Sequence, residues 1–532
     1  MAADAVSRMK PSGKRLLAGA LGLAFIALVL LAPFLALPLA TGARPAFALV
    51  AADPYVHGVL RFTLVQAGLS ALLSALFALP LALAMHRRAF PGRQLILRIM
   101  LLPQALPTLV AALGILAVFG RSGLLSSALA AAGIGRLDIY GLTGILIAHV
   151  FFNMPLATRL MLAALSAIPA ESWKLAGQLS MGRRATFRLV EWPAIRAALP
   201  GILTLVFMLC VTSFAIVLVL GGGPSATTLE VAIYQALRYD FDPARVMALS
   251  LLQIVVVSVV LAISSVLGRS DAGIASLGGR TRRYDPDGPA ARVADTALIV
   301  AGLAFILAPF CAILWNGLAS DLPGLAMQPA VHRALLTSLA IAFSATAMGL
   351  ALSLALALGR QGRRSGLIDY AGSIVLVVPP IVVGAGWFLI LREFAAVASL
   401  APLVVVTANA VMAVPFMLRV LTPAMDRAEM QRARIAAHLG IRGFAYWRLV
   451  LWPALRRPLG LALAFGLSLS LGDLGVVALF GSQDLVTLPY LLLQRMGSYR
   501  TADAAGIALI LAATCLTLMW LAERGAQTDR TP

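Results

Sequence analysis

The 532-residue chain is 61% hydrophobic and 12% charged, with a mean hydropathy of +0.94. A soluble core cannot hide that much apolar surface, so the chain belongs in a bilayer. Its net charge of +20 does not point to nucleic acid, because the basic residues gather on one side of the apolar segments.

A helical span needs about 20 apolar residues to cross the hydrocarbon. Twelve segments qualify: 16–39, 57–86, 95–118, 139–165, 199–221, 244–268, 293–318, 333–358, 368–391, 398–424, 455–480 and 503–523. None shows the residue-by-residue alternation of a membrane β-strand, which excludes a β-barrel. The first is too long for a signal-peptide core and shows no small-residue cleavage site, so it reads as a retained span. With the N-terminus inside, the inward-facing segments hold 32 of the 42 Lys and Arg residues. This positive-inside pattern puts both termini in the cytoplasm, with a smaller contribution from anionic lipid headgroups. Cys210, Cys311 and Cys515 fall in apolar spans without metal-ligand spacing and read as small buried hydrophobes.

The chain divides at 269–292, a Gly-rich, charged segment that reads as a cytoplasmic linker. Residues 1–268 form a first transmembrane half and 293–532 a second. RLVEWPAIR at 188–196 returns as RLVLWPALR at 448–456, an offset of 260. The offset also pairs Pro155 with Pro415, Arg159 with Arg419, Leu179 with Leu439, Ser213 with Asp473 and Gly221 with Gly481. Six spans per half make the halves parallel repeats. Common ancestry alone explains similar spans. It explains less well why the best-kept segment is polar, where packing constrains sequence least.

The repeated segments occupy 168–200 and 428–460. Each holds a helix-forming stretch, a Gly-containing turn (Gly182; Gly440), a short aromatic-bearing stretch, and then Trp192-Pro193 or Trp452-Pro453. Pro193 and Pro453 are expected to end the short helix and re-aim the chain into the next span. Leu175 with Leu179, and Ile435 with Leu439, stand four residues apart on one helical face. Such a face seats in a groove on a partner, with basic residues at the rim.

This pattern resembles the "EAA" loop of ABC import permeases, in which a coupling helix docks into a groove of the ATPase subunit. Gly440 stands at that motif's glycine, whereas the first copy has Ser180 there and Gly182 two residues on. The motif's glutamate position falls on Lys174 and Arg434, a departure from the pattern. The resemblance covers both halves and implies a fused permease with the all-α type I importer fold. The stretches 213–245 and 470–505 further resemble the thiamine and thiamine pyrophosphate import permeases. Ferric-iron import permeases share the fused layout and are the nearest alternative.

The resemblance implies two copies of an ABC ATPase, a periplasmic solute-binding protein and the bacterial inner membrane. The chain itself is no enzyme by this reading. Its three lysines, Lys10, Lys14 and Lys174, stand in no phosphate-cradling G-x-x-x-x-G-K loop, so ATP and Mg would be bound by the partner. No metal or cofactor is expected in this chain.

Polar residues inside spans are costly and are functional candidates by default. Asp473 is the clearest, with Ser213 at the matching position. A carboxylate on the path would offset the lost hydration of a cationic solute, while its structural reading is a cap at a helix break. His149 and Asn153, on one face of the fourth span, and Asn409 in the tenth also fit a path, or interhelical hydrogen bonding. Glu230, Gln235 and Gln494 lie in outer segments 222–243 and 482–502, as candidates for an outer gate or for binding-protein docking. Simple solvation of a loop fits them equally. An ion-coupled secondary transporter would need a relay of carboxylates or histidines, and Asp473 is nearly alone. A non-transporting scaffold leaves the repeated segment unexplained.

Overall fold

The computed structural model describes residues 13–41, 52–266, 288–360, 375–394, 397–441 and 443–525. The linker up to residue 287 and the start of the ninth predicted span lie outside them. The described residues are helical, with no strand among them. Among the described residues, eleven helices are long and apolar enough to cross a membrane. Of the segment predicted at 368–391, the described residues include a 14-residue helix, Pro380–Glu393.

Two compact units are present. One comprises Ala51–Ala232 and Val255–Trp315. Its long helix α2 (Pro54–Arg87) follows α1 (Gly13–Thr41) in the chain and starts at the Asp53 side chain, which accepts from Tyr55 N at 2.8 Å. One face of α2 is a run of small residues, Ala67, Ser70, Ala71, Ser74, Ala75 and Ala78, at helical spacing and buried. That face lets α4 (Leu142–Ser166) and α6 (Trp192–Val211) approach closely, as membrane helices do without a hydrophobic drive between them. The opposite face of α2 exposes Val65, Leu69, Leu72 and Leu76, side chains suited to lipid.

The other unit comprises Met1–Val50, Ile233–Ile254 and Asn316–Pro532. In it α11 (Pro329–Gly359) packs on α13 (Val397–His438), α14 (Trp452–Gly472) and α1. A Cβ on Gly19 of α1 would stand 2.9 Å from Gly359 Cα, so this crossing needs glycine. Trp387 Nε1, on α12 (Pro380–Glu393), donates to Val29 O of α1 at 2.9 Å. The packing partition thus differs from the 1–268 and 293–532 division by sequence. Helix α1 joins helices of the second half, and the greater part of α10 (Pro289–Leu318) joins those of the first.

Three expectations need correction. The span predicted at 95–118 is not continuous. Short helices end at Ile99 and Ala105, and the apolar crossing runs Thr108–Ala131. Leu106 is extended before Pro107, as a residue preceding proline prefers. Pro193 and Pro453 do not end a helix. A π-helical turn, Phe187–Glu191 or Trp447–Leu451, runs directly into α6 or α14, and each proline sits in the first turn of that span helix. There its missing N–H removes no needed donor. Lastly, Cys210 and Cys515 are buried, but Cys311 is exposed on α10.

Candidate functional site

The two repeated segments fold alike from turn to span. In the first, α5 (Ala170–Gln178) is pinned by Trp173, buried in a cluster with Leu83, Leu165, Ile168 and Ile195. Its C-terminus closes with Met181 N on Ala176 O at 3.0 Å, and Ser180 takes the left-handed conformation at φ 47°. In the second copy Ile441 N bonds Ala436 O at 2.9 Å, and Gly440 stands at φ 66°. These are matching Schellman-type ends. Ser180, and not Gly182, makes the first turn: Gly182 is extended at φ −68°, with open space where a Cβ would be. The copies differ upstream. Pro169 separates α4 from α5, whereas α13 runs unbroken through the matching Glu429.

The inward faces of these segments are buried and their outward faces are apolar. Leu175, Leu179 and Leu189 are exposed, as are Ile435, Leu439 and Leu449 at the matching positions. Trp192 is half-buried with its ring centroid 5.9 Å from Phe187, and Trp452 is exposed. Leu189 and Leu449 belong to the repeated nonapeptide and escape a reading based on Trp-Pro alone. Exposed leucines in duplicate, on polar stretches between spans, form a surface suited to a partner.

The intramembrane polar residues bond between helices. His149 Nδ1 on α4 shares a hydrogen bond with Ser70 Oγ on α2 at 2.9 Å. Asn153 Nδ2 donates to His149 O at 2.9 Å and to Cys210 Sγ on α6 at 3.4 Å. Gln66 Nε2 reaches Cys210 O at 3.0 Å. In the second half Asn409 Nδ2 on α13 donates to Ser470 Oγ on α14 at 3.1 Å. His149 and Asn409 stand 260 apart, as do Cys210 and Ser470. In each half a side-chain hydrogen bond therefore joins the same two helices at position 210 or 470, but its donor is Asn153 in the first half and Asn409 in the second.

Ser213 lies in the break between α6 and α7 (Ala215–Leu220), and Asp473 in the matching break between α14 and α15 (Gly475–Phe480). Asp473 Oδ1 accepts from Gly475 N at 3.1 Å and so caps α15. Its Oδ2 is buried without a hydrogen bond, and Asn409 lies near the carboxyl group.

The outer segments are not simple loops. Each carries a short helix, α8 (Leu229–Arg238) or α16 (Leu488–Gly497). Leu229 N donates to Thr63 Oγ1 at 3.0 Å, and Leu488 N to Ser338 Oγ at 2.8 Å. Glu230 is buried, with Oε1 lacking a hydrogen bond, so it cannot meet a soluble partner. The pattern LEVAIYQALR folds as an amphipathic helix and draws the carboxyl inward. Burial pushes Glu230 up to about 8. Gln235 is half-buried and Gln494 exposed.

Paired buried polar links, matched broken spans and a duplicated surface on polar segments define a two-fold helical membrane permease. The chain belongs to the family of inner membrane components of binding-protein-dependent transport systems, whose description matches residues 75–270. It is 51% identical over 520 residues to the thiamine transport system permease protein ThiP of Brucella abortus (strain 2308), covering 96% of both chains. The Escherichia coli (strain K12) protein of that name is 44% identical over 490 residues, covering 90% of this chain and 91% of its own. The Haemophilus influenzae one is 37% identical over 477 residues, covering 87% of each.

Proposed function

We propose that this chain is the permease subunit of an ATP-driven importer carrying thiamine and its phosphates from a periplasmic binding protein into the cytoplasm. The duplicated exposed apolar surface at 175, 179 and 189, and at 435, 439 and 449, carries the reading. One surface per half implies two copies of an ABC ATPase, which bind and hydrolyse ATP with Mg. The relatives at 37–51% identity, named for thiamine transport, support the solute. Both termini are cytoplasmic in this arrangement, consistent with the inward bias of Lys and Arg. Asp473 acts first as the cap of α15. Its second oxygen, buried without a hydrogen bond, is the remaining anionic candidate for a cationic solute on the path.

The test is uptake of labelled thiamine in cells with and without the chain, before and after ATP depletion. Uptake that needs both supports the reading. Uptake that survives ATP depletion and collapses with an uncoupler would make the chain ion-coupled. Unchanged thiamine uptake on deletion would remove thiamine and make ferric iron the next solute to measure.

A further inference from the structure

Five charged side chains meet where the first coupling segment joins the spans. Asp295, seven residues into α10, is buried. Its Oδ2 accepts from Arg88 Nε at 2.9 Å and Nη2 at 2.6 Å, and its Oδ1 from Arg183 Nη2. Arg88 caps the C-terminus of α2, and Arg183 opens the short helix Arg183–Thr186 that follows the coupling turn. Beside them, Arg87 Nη2 donates to Glu191 Oε2 at 2.7 Å, and Glu191 is fully buried in the π-helical turn. Consecutive arginines on α2 thus hold the coupling segment at both ends of one helical stretch: at 191 directly, and at 183 through a carboxylate from a third helix.

Charged pairs out of water are short and strong, and breaking one leaves a charge without compensation. Fixing geometry is the best-attested use of such pairs, since apolar packing holds helices together as well. The second copy has Gly443 where Arg183 stands and Leu451 where Glu191 stands, and these side chains can form neither pair. Leu451 is buried. The Arg183–Asp295 and Arg87–Glu191 pairs therefore belong to the first coupling segment, whereas in the second half Arg360, which caps α11, pairs with Asp426 of α13.

We infer that Asp295 and Arg183 are positioning residues that lock the first coupling segment to α2 and α10, so that its displacement moves these helices as one piece. The inference rests on the importer reading above. The two halves then differ in their ionic linkage, since Gly443 and Leu451 cannot reproduce the Arg183–Asp295 and Arg87–Glu191 pairs.

The experiment uses the permease–ATPase complex in proteoliposomes, with ATP enclosed, and binding protein and labelled thiamine outside. Thiamine imported per ATP hydrolysed is measured together with the ATPase bound. Arg183 is partly exposed, so Arg183→Gln cuts the tie while leaving Asp295 paired with Arg88. The expected result is a wild-type amount of ATPase and a fall in thiamine per ATP of about tenfold, the worth of one charge-assisted hydrogen bond. Arg183→Lys should recover much of the ratio, and Asp295→Asn should reproduce the loss. A merely structural role would lower the yield of complex and leave the ratio per complex intact. Wild-type ratios in both Arg183→Gln and Asp295→Asn overturn the inference. Loss of bound ATPase in Arg183→Gln also overturns it, because Arg183 would then be a docking contact. Failure of the wild-type complex to import with ATP is a different result and overturns the importer reading instead.

Discussion

Truncating Leu179 and Leu439 tests the docking surface with the least damage to the fold. The two side chains are 64% and 69% exposed, so the isolated permease gains little from burying them. Leu→Ala removes about three carbons, worth about 2.4 kcal/mol when they are fully buried. A docked ATPase covers the exposed two-thirds, so each substitution should cost about 1.6 kcal/mol, or about fifteen-fold in Kd. Each site takes its own ATPase copy, so in the double variant both sites should weaken about fifteen-fold, and loading both copies should cost about 3.2 kcal/mol in total. Leu72→Ala is the control: this leucine is 59% exposed, but on the lipid face of α2. The assay is titration of the purified ATPase onto permease in detergent, with thermal unfolding of the permease measured in parallel. Both single variants should weaken binding with unchanged unfolding, and Leu72→Ala should change neither. Wild-type affinity in the double variant would refute the docking surface. Loss in only one single variant would refute its duplication.

Ser180 is a non-glycine residue at φ 47°, so Ser180→Gly should stabilise the permease and Gly440→Ala should destabilise it, each by about 1 kcal/mol, read by thermal unfolding. Thr63→Val strands the Leu229 amide and Ser338→Ala strands that of Leu488; each should cost about 1–3 kcal/mol by the same measurement, and no loss in either would dissolve the anchoring of α8 and α16. Glu230, pushed up to about 8 by burial, stays protonated in the folded protein at neutral pH, whereas unfolded it ionises near the ordinary glutamate value of about 4.3. The folded state then holds the extra proton between those values, and stability falls as pH rises through that window. Glu230→Gln removes the dependence, so its gain in melting temperature should be larger at pH 8 than at pH 5; equal gains would place the carboxyl in water.

Much of the fold was legible because membrane burial writes itself in composition. Long apolar runs and sided arginines need no tertiary information. The repeat was legible because both copies kept Trp-Pro and its flanking residues. The departures arise where the outcome depends on a partner distant in the chain. A proline such as Pro193 reads as a break, yet a π-helical turn before it lets the helix continue, and only the hydrogen-bond pattern reveals this. The packing of α1 on α11 depends on Gly19 meeting Gly359, hundreds of positions apart. Arg88, Glu191 and Asp295 look like ordinary charges until the fold sets Arg88 against Asp295 and Arg87 against Glu191. Glu230 was open to a better reading, since LEVAIYQALR has helical amphipathic spacing even though it follows a Gly-Pro turn.

The two halves diverged unevenly, and the proposed cycle explains the pattern. In that cycle two copies of one ATPase would present the same groove twice, so the surfaces they read would have to stay alike. Leu179 and Leu439, Leu189 and Leu449, and Trp192 and Trp452 are identical, and Leu175 faces only the change to Ile435. A small solute has no two-fold symmetry and makes no such demand inside the membrane. There His149 stands against Asn409, Cys210 against Ser470, and Ser213 against Asp473. What persists is a hydrogen bond between the same two helices at Cys210 and Ser470, given by Asn153 in one half and Asn409 in the other, because an unpaired polar group in hydrocarbon is costly. The Asp295 tie fits this division. Asp295 is buried, so a docked ATPase would not touch it and would not force the copies to match there. In the proposed cycle the duplicated surface would set where force enters each half, and the Asp295 tie how the first half passes it on.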